Sequence, residues 1–168
     1  MFSAFPGSAE QRSCVLGHSY AAVVRSLPAS TVAEISGLTL RQLRYLATSE
    51  VLIPSVRLSA GAGSESLYGP GDVLPLLAVA KVRSICGPEV RVERLLPITQ
   101  VLTSRTAGPQ QLLVSDPEGC WITSADRLPA ALRRSVCAIV IDLDALEDDL
   151  QARLDRAGIA STPLASAI

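Results

Sequence analysis

The segment from Ser30 to Ser84 constrains the fold more than any other part of the chain. It reads STVAEISGLTLRQLRYLATSEVLIP and then VRLSAGAGSESLYGPGDVLPLLAVAKVRS. Thr31 and Glu34 stand at capping-box spacing just after Pro28, which predicts a helix start. Val32 and Ile35 share one face of that helix. Gly37 suits the left-handed conformation that ends a helix, and Thr39 can cap the next one. Leu40, Leu43 and then Leu46 or Ala47 recur at helical spacing and are expected to face inward. Arg41, Arg44, Tyr45 and Thr48 fall on the opposite face. Two helices joined by a tight glycine turn fit the helix-turn-helix, whose second helix enters the DNA major groove.

Pro54 closes that unit. Val56–Leu58 and Ser66–Tyr68 are short strand candidates around the glycine-rich tip SAGAGSE, so a hairpin wing is expected. Gly69-Pro70-Gly71-Asp72 then opens a helix running to about Cys86, with Asp72 placed to complement its dipole. Leu74, Leu77, Ala78, Lys81, Val82 and Ile85 form its inward face.

Charge limits what such a unit can bind. The chain of 168 residues carries 15 basic and 16 acidic side chains, a formal net charge of −1. That is not the balance of a protein that coats nucleic acid without sequence preference. Residues 31–83 hold five basic and four acidic side chains, whereas from Ser84 onward there are eight basic and eleven acidic. The second half is therefore the poorer DNA surface. DNA binding would need a local basic patch and a homodimer, since two half-sites multiply affinity.

The remaining chain divides by texture. Residues 1–29 form a weakly patterned lead-in, with a possible short helix near 19–26. Residues 30–86 form the helix-turn-helix and wing. Residues 88–157 form a small α+β module, and 158–168 a frayed tail. Within the module, residues 90–104 read as a helix that Pro97 should kink or split. Gln111–Ser115 and Cys120–Ser124 flank Asp116-Pro117-Glu118-Gly119 as a hairpin. Residues 127–134 suit one helical turn. VCAIVI, 136–141, is a continuous apolar run and is expected as a buried strand. Leu143, Leu146, Leu150 and Leu154 give the last helix an apolar seam, which with Trp121 is expected to bind a second copy or a partner protein. The fold class is thus mainly α with small β: a winged helix-turn-helix followed by a small α+β module.

The TLRQLRYL segment, its spacing to Leu52-Ile53-Pro54, and LYGPGDVLPLL after the hairpin resemble the MerR family of bacterial transcription regulators. The shared positions are Arg41, Arg44, Tyr45, Leu52, Pro54, Tyr68 and Asp72, and they span about a third of the chain. The resemblance implies double-stranded DNA as partner. Arg41 and Arg44 would reach bases or phosphates, and Tyr45 and Arg57 the backbone, with Thr39, Gln42 and Tyr68 completing the surface. Arginine suits both jobs, because its fork pairs with guanine or with phosphate. Leu46 stands where the family usually has a second aromatic, and Ser66 near its usual basic wing residue. The long dimerisation coiled coil and the close-spaced effector cysteines are absent, so metal sensing is not implied.

Other chemistry finds little support. Cys14, Cys86, Cys120 and Cys137 are far apart and form no CxxC pair, so buried thiols in a reducing cytoplasm are expected rather than a metal site. Asp142, Asp144, Glu147, Asp148 and Asp149 lack the glycine of a calcium loop and read as cap and solvated charge. His18 has no nucleophile motif beside it, and neither a P-loop nor GxGxxG occurs, so neither an enzyme nor a cofactor is expected. No run is long and apolar enough for a membrane span, and no signal peptide is read. Two further functions share the same residues. One is an antitoxin-like autoregulator whose acidic second half grips a partner protein. The other is a helix-turn-helix adapted to protein–protein contact.

Overall fold

The computed structural model describes residues 26–159 except 60, 62, 63, 88, 89, 107, 109 and 134. In chain order the elements are β1 (Leu27–Pro28), α1 (Ala29–Ser36), α2 (Leu40–Thr48), β2 (Leu67–Tyr68), α3 (Pro70–Cys86), α4 (Val92–Ser104), β3 (Gln111–Asp116), β4 (Gly119–Ser124), α5 (Leu128–Leu132), β5 (Ile139–Asp142) and α6 (Leu143–Arg156). Among the described residues this is a mixed α/β fold of six helices and two small antiparallel sheets. The first sheet pairs β1 with β2, and the second has the order β4-β3-β5. The helix expected near 19–26, His18, Cys14 and most of the tail lie outside the described residues.

α3 is the axis of the packing. Pro70 sits at its first turn, where a missing N–H costs nothing. Val73, Leu74, Pro75, Leu76, Leu77, Ala78, Val79 and Val82 are all buried, so consecutive residues point inward on every side. A helix apolar nearly all round must be wrapped by others. α1, α4 and α6 do this. One cluster of buried side chains runs from Leu27, Val32 and Ile35 through α3 to Leu95, Ile98 and Leu113, and on to Leu143, Leu146 and Leu150.

That cluster corrects one expectation. Leu143, Leu146 and Leu150 are 0%, 4% and 5% exposed, and Leu154 packs partly buried against the same core. The seam of α6 lies on α3 and α1 of its own chain, so it is not a surface for a second copy. The physical reason is that α3 already demands cover on that side.

The second sheet alternates as strands should. Leu113, Cys120, Ile122, Ile139 and Ile141 face the core. Val114 points the other way and is fully buried, with Trp121 of β4 and Val140 of β5 as its register partners on either side. Trp121 itself is half-buried. The run 136–141 is not a buried central strand: β5 begins at Ile139, lies at the sheet edge, and leaves Val136 and Val140 exposed. Pro97 does not split α4, which runs unbroken from Val92 to Ser104. Ile85, on the expected apolar face, is exposed. Asp142 caps α6 by accepting from the N–H groups of Asp144 and Ala145.

α6 is also held by charge. Asp149 accepts from Arg153 Nε at 2.9 Å and pairs with Lys81 Nζ at 2.9 Å. Arg153 Nη1 donates to the carbonyl of Ile35 at 2.9 Å, capping the carboxyl end of α1. Hydrogen bonds from Arg153 and Lys81 pull the Asp149 carboxyl down from 3.8 to about 2.

Two predictions follow from this packing. Leu77→Ala, at a fully buried site, should cost about 2–5 kcal/mol in urea unfolding, while Ile85→Ser should change stability by less than about 0.5 kcal/mol. Asp149 carries a depressed pKa, so the stability it adds is complete above 3.8 and is lost as pH falls toward 2. Asp149→Asn should therefore flatten that acid limb of the melting-temperature profile, and an unchanged acid limb would refute the brace.

Candidate nucleic-acid interface

α1 and α2 are joined by Gly37, Leu38 and Thr39. Gly37 takes φ 79°, the left-handed region, and donates its N–H to Ala33 O at 2.9 Å. This is the turn the sequence predicts. The start of α1 differs. The helix begins at Ala29, two residues before Thr31, so Thr31 and Glu34 fall inside it and form no box. The first N–H groups are satisfied from the hairpin instead: Ala29 N donates to Ser66 O at 3.1 Å, and Ser30 N and Oγ donate to Glu65 Oε1 at 3.0 and 2.9 Å. Those two bonds to Ser30, the backbone one first, hold the Glu65 carboxyl below its ordinary range.

α2 carries its own cap. Gln42 N donates to Thr39 Oγ1 at 3.2 Å, and Thr39 N donates to Gln42 Oε1 at 2.7 Å. This reciprocal box satisfies two end groups at once. Both side chains, expected as DNA contacts, are thus turned toward the helix start. Leu43, Leu46 and Ala47 are buried, and Arg41, Arg44, Tyr45 and Thr48 are exposed. Leu40 does not face inward; it is 51% exposed, as is Tyr45. As the first helical residue it lies one turn short of the buried stripe. Among the described residues neither Arg41 nor Arg44 forms an ion pair.

The carboxyl end of α2 is also fixed. Glu50 adopts φ 57°, and Val51 N closes the turn on Leu46 O at 3.0 Å. The buried Thr99 of α4 donates its hydroxyl to Val51 O at 2.6 Å.

Beyond α2, Arg57 and Leu67 exchange backbone hydrogen bonds of 3.0 and 2.8 Å as an isolated bridge. The expected strand 56–58 is no longer than that, while Leu67–Tyr68 pairs with β1. Asp72 holds the base of this segment. Its Oδ2 accepts from Ser55 N, Ser55 Oγ and Gly69 N at 2.9, 2.8 and 2.8 Å. A Cβ on Gly69 would run into Ser55 Oγ, so a larger residue there would displace that hydroxyl from Asp72. The exposed Arg57 directs Nη2 at the carbonyl of Glu65, 3.2 Å away.

Tyr68 is a correction. Expected at the DNA surface, it is 1% exposed and belongs to the core, because the β1–β2 pairing turns its ring inward. Burial, and then the Asp72 carboxylate, raise its hydroxyl pKa. The exposed side chains on α2 and the hairpin therefore include Leu40, Arg41, Arg44, Tyr45, Thr48, Arg57 and the acidic Glu65, with Ile53, Val56 and Leu58 of the following segment at 54%, 48% and 48% exposure. Sequence reading missed Ser55, Glu65, Thr99 and Arg153, whose partners lie too far along the chain for any local spacing to reveal. Asp72 was legible as a helix-start acid, though not as a latch.

No protein-family model matches the chain. A 49-residue stretch, 29% of this chain, is 43% identical to proteins of Mycobacterium bovis and of two strains of Mycobacterium tuberculosis. Each is described as an uncharacterized HTH-type transcriptional regulator, and the match covers 22% of its length. The chain thus spans about a fifth of the curated relatives it matches. Among the described residues no helix is long and apolar enough to cross a membrane.

Removing the latch tests how the hairpin is held. Asp72→Ala removes the shared acceptor of three donors and should cost about 1–3 kcal/mol in urea unfolding, with Asp72→Asn milder. A cost within about 0.5 kcal/mol, the range of ordinary surface changes, would show that the latch does not hold the segment.

Proposed function

We propose that the chain is a DNA-binding transcriptional regulator of the winged, MerR-like helix-turn-helix type. In this reading α2 enters the major groove and the segment 55–69 is the wing. The observation that carries it is the exposed face of α2. Arg41, Arg44, Tyr45 and Thr48 project from a helix whose start is capped by Thr39 and Gln42 and whose end is held by Thr99. A rigid helix presenting arginines reads DNA well, since base contacts need defined positions. The 43% identity to proteins described as HTH-type regulators supports the same class. The protein acts as a homodimer through a surface other than the α6 seam, because a single module of such modest charge binds weakly.

A second reading has its own support. Leu40 on α2 and Ile53, Val56 and Leu58 in the segment that follows it are exposed apolar side chains. Such a patch suits a protein partner better than phosphates, in keeping with an adapted helix-turn-helix or an antitoxin-like protein.

Fluorescence anisotropy separates the two. The probes are the DNA upstream of the chain's own gene and a random duplex pool carried through selection. Under the first reading, affinity falls as salt rises, and Arg44→Ala or Arg41→Ala weakens binding by about 1–3 kcal/mol. A folded wild-type protein that enriches no duplex would overturn that reading in favour of a protein partner.

A further inference from the structure

We propose that the cavity between the carboxyl end of α3, the first turns of α4, and the β3 and β5 strands binds a small organic anion, with an apolar body and a single acidic head. The cavity measures about 470 Å³, inside the range of about 300–1,000 Å³ typical of small-molecule sites. Val82, Val90, Ile98 and Ile139 supply apolar wall. That lining would take a hydrocarbon or aromatic body by the ordinary gain from apolar burial.

The charge at the cavity selects the head. Arg91 and Arg94 both line it, three residues apart and so on one side of the helix start. Both are exposed, and among the described residues neither forms an ion pair. Among the described residues Asp116 is the one carboxylate of the lining, and its oxygens are already engaged. Oδ1 accepts from the N–H groups of Glu118 and Gly119 at 2.8 and 2.9 Å, and Oδ2 accepts from the Ser135 hydroxyl. Its charge is thereby turned into the β3–β4 turn. Two guanidiniums with no ion pair among the described residues, beside an apolar hollow, fit a carboxylate or sulfonate, which arginine holds by charge-assisted, often bidentate hydrogen bonds. The amino end of α4 adds a favourable dipole. This site stands whether or not α2 reads DNA.

Thiol footprinting reads occupancy directly. Cys86 and Cys137 line the cavity and are exposed. Cys120 is not in the lining but pairs across the sheet with the cavity's Ser115, and burial pushes its thiol pKa up to about 11, so added glutathione serves as the reference thiol. Iodoacetamide labelling of each cysteine is followed by mass spectrometry with decanoate, decanol or decylamine present. Decanoate should slow labelling of Cys86 and Cys137 but not of glutathione, at concentrations about tenfold below those needed for decanol, as one charge-assisted hydrogen bond would give. Arg91→Gln with Arg94→Gln should erase that difference. Val90→Trp, which fills the mouth at a half-exposed position, should abolish protection by both while circular dichroism reports a native melt. Equal protection by decylamine, protection that survives the double arginine variant, or no protection by decanoate would overturn the proposal.

Discussion

The structure depends on one constraint: α3 is too apolar to be left uncovered on any side. From Val73 to Val79 no residue of the helix reaches the surface. Everything else is arranged to meet that demand. α1 covers one side, α4 another, and α6 returns from the far end of the chain to cover the third. This explains why the leucine seam of α6 is spent internally. An amphipathic helix offered both an exposed partner and an unsatisfied core takes the core, since burying each leucine there gains about 1.5–3 kcal/mol without the entropic cost of association.

Hydrophobic cover is non-directional, so the polar contacts decide where the helix ends stand. They share a pattern: a side chain distant in sequence satisfies a backbone group at an element's end. Glu65 serves the start of α1, Arg153 its end, Thr99 the end of α2, and Asp72 the Ser55 N–H at the base of the hairpin. Helix ends leave four N–H and four C=O groups without helical partners, and short helices have few other groups. α1 and α2 have eight and nine residues, so their ends are most of what they are. Fixing those ends from outside fixes the angle at which the α2 face is presented.

That pattern also sets what the sequence could reveal. Local signals were legible: Gly37 as the left-handed stop, Thr39 as the cap, the Gly-Pro-Gly-Asp start of α3, the Asp116–Gly119 turn, and an acidic cap of α6 at Asp142 or Asp144, which is Asp142. Each depends on residues within a few positions of one another. The failures were non-local. Thr31 and Glu34 had box spacing, yet the helix starts earlier because Glu65 reaches in from the hairpin. Tyr68 read as surface from its motif, yet its pairing with Leu27 turns it inward. VCAIVI read as buried from its composition, yet only one neighbour pairs with it, which leaves an edge. For α2 the exposed set was read correctly apart from Leu40, because helical periodicity alone decides which side faces out.

The same geometry bears on how an acidic protein could read DNA at all. Nonspecific attraction scales with the phosphates neutralised, and a chain of formal net charge −1 has little to spend there. Recognition built on Arg41 and Arg44 would therefore lean on base contacts and on the rigidity that positions them, rather than on a broad positive field. Such a surface would have weak background binding, and each arginine would carry a large share of the total. Leu40, beside them at the amino end of α2, can touch a thymine methyl as readily as a protein partner. Its burial on binding is then a common feature of either reading, and only the arginines discriminate between them.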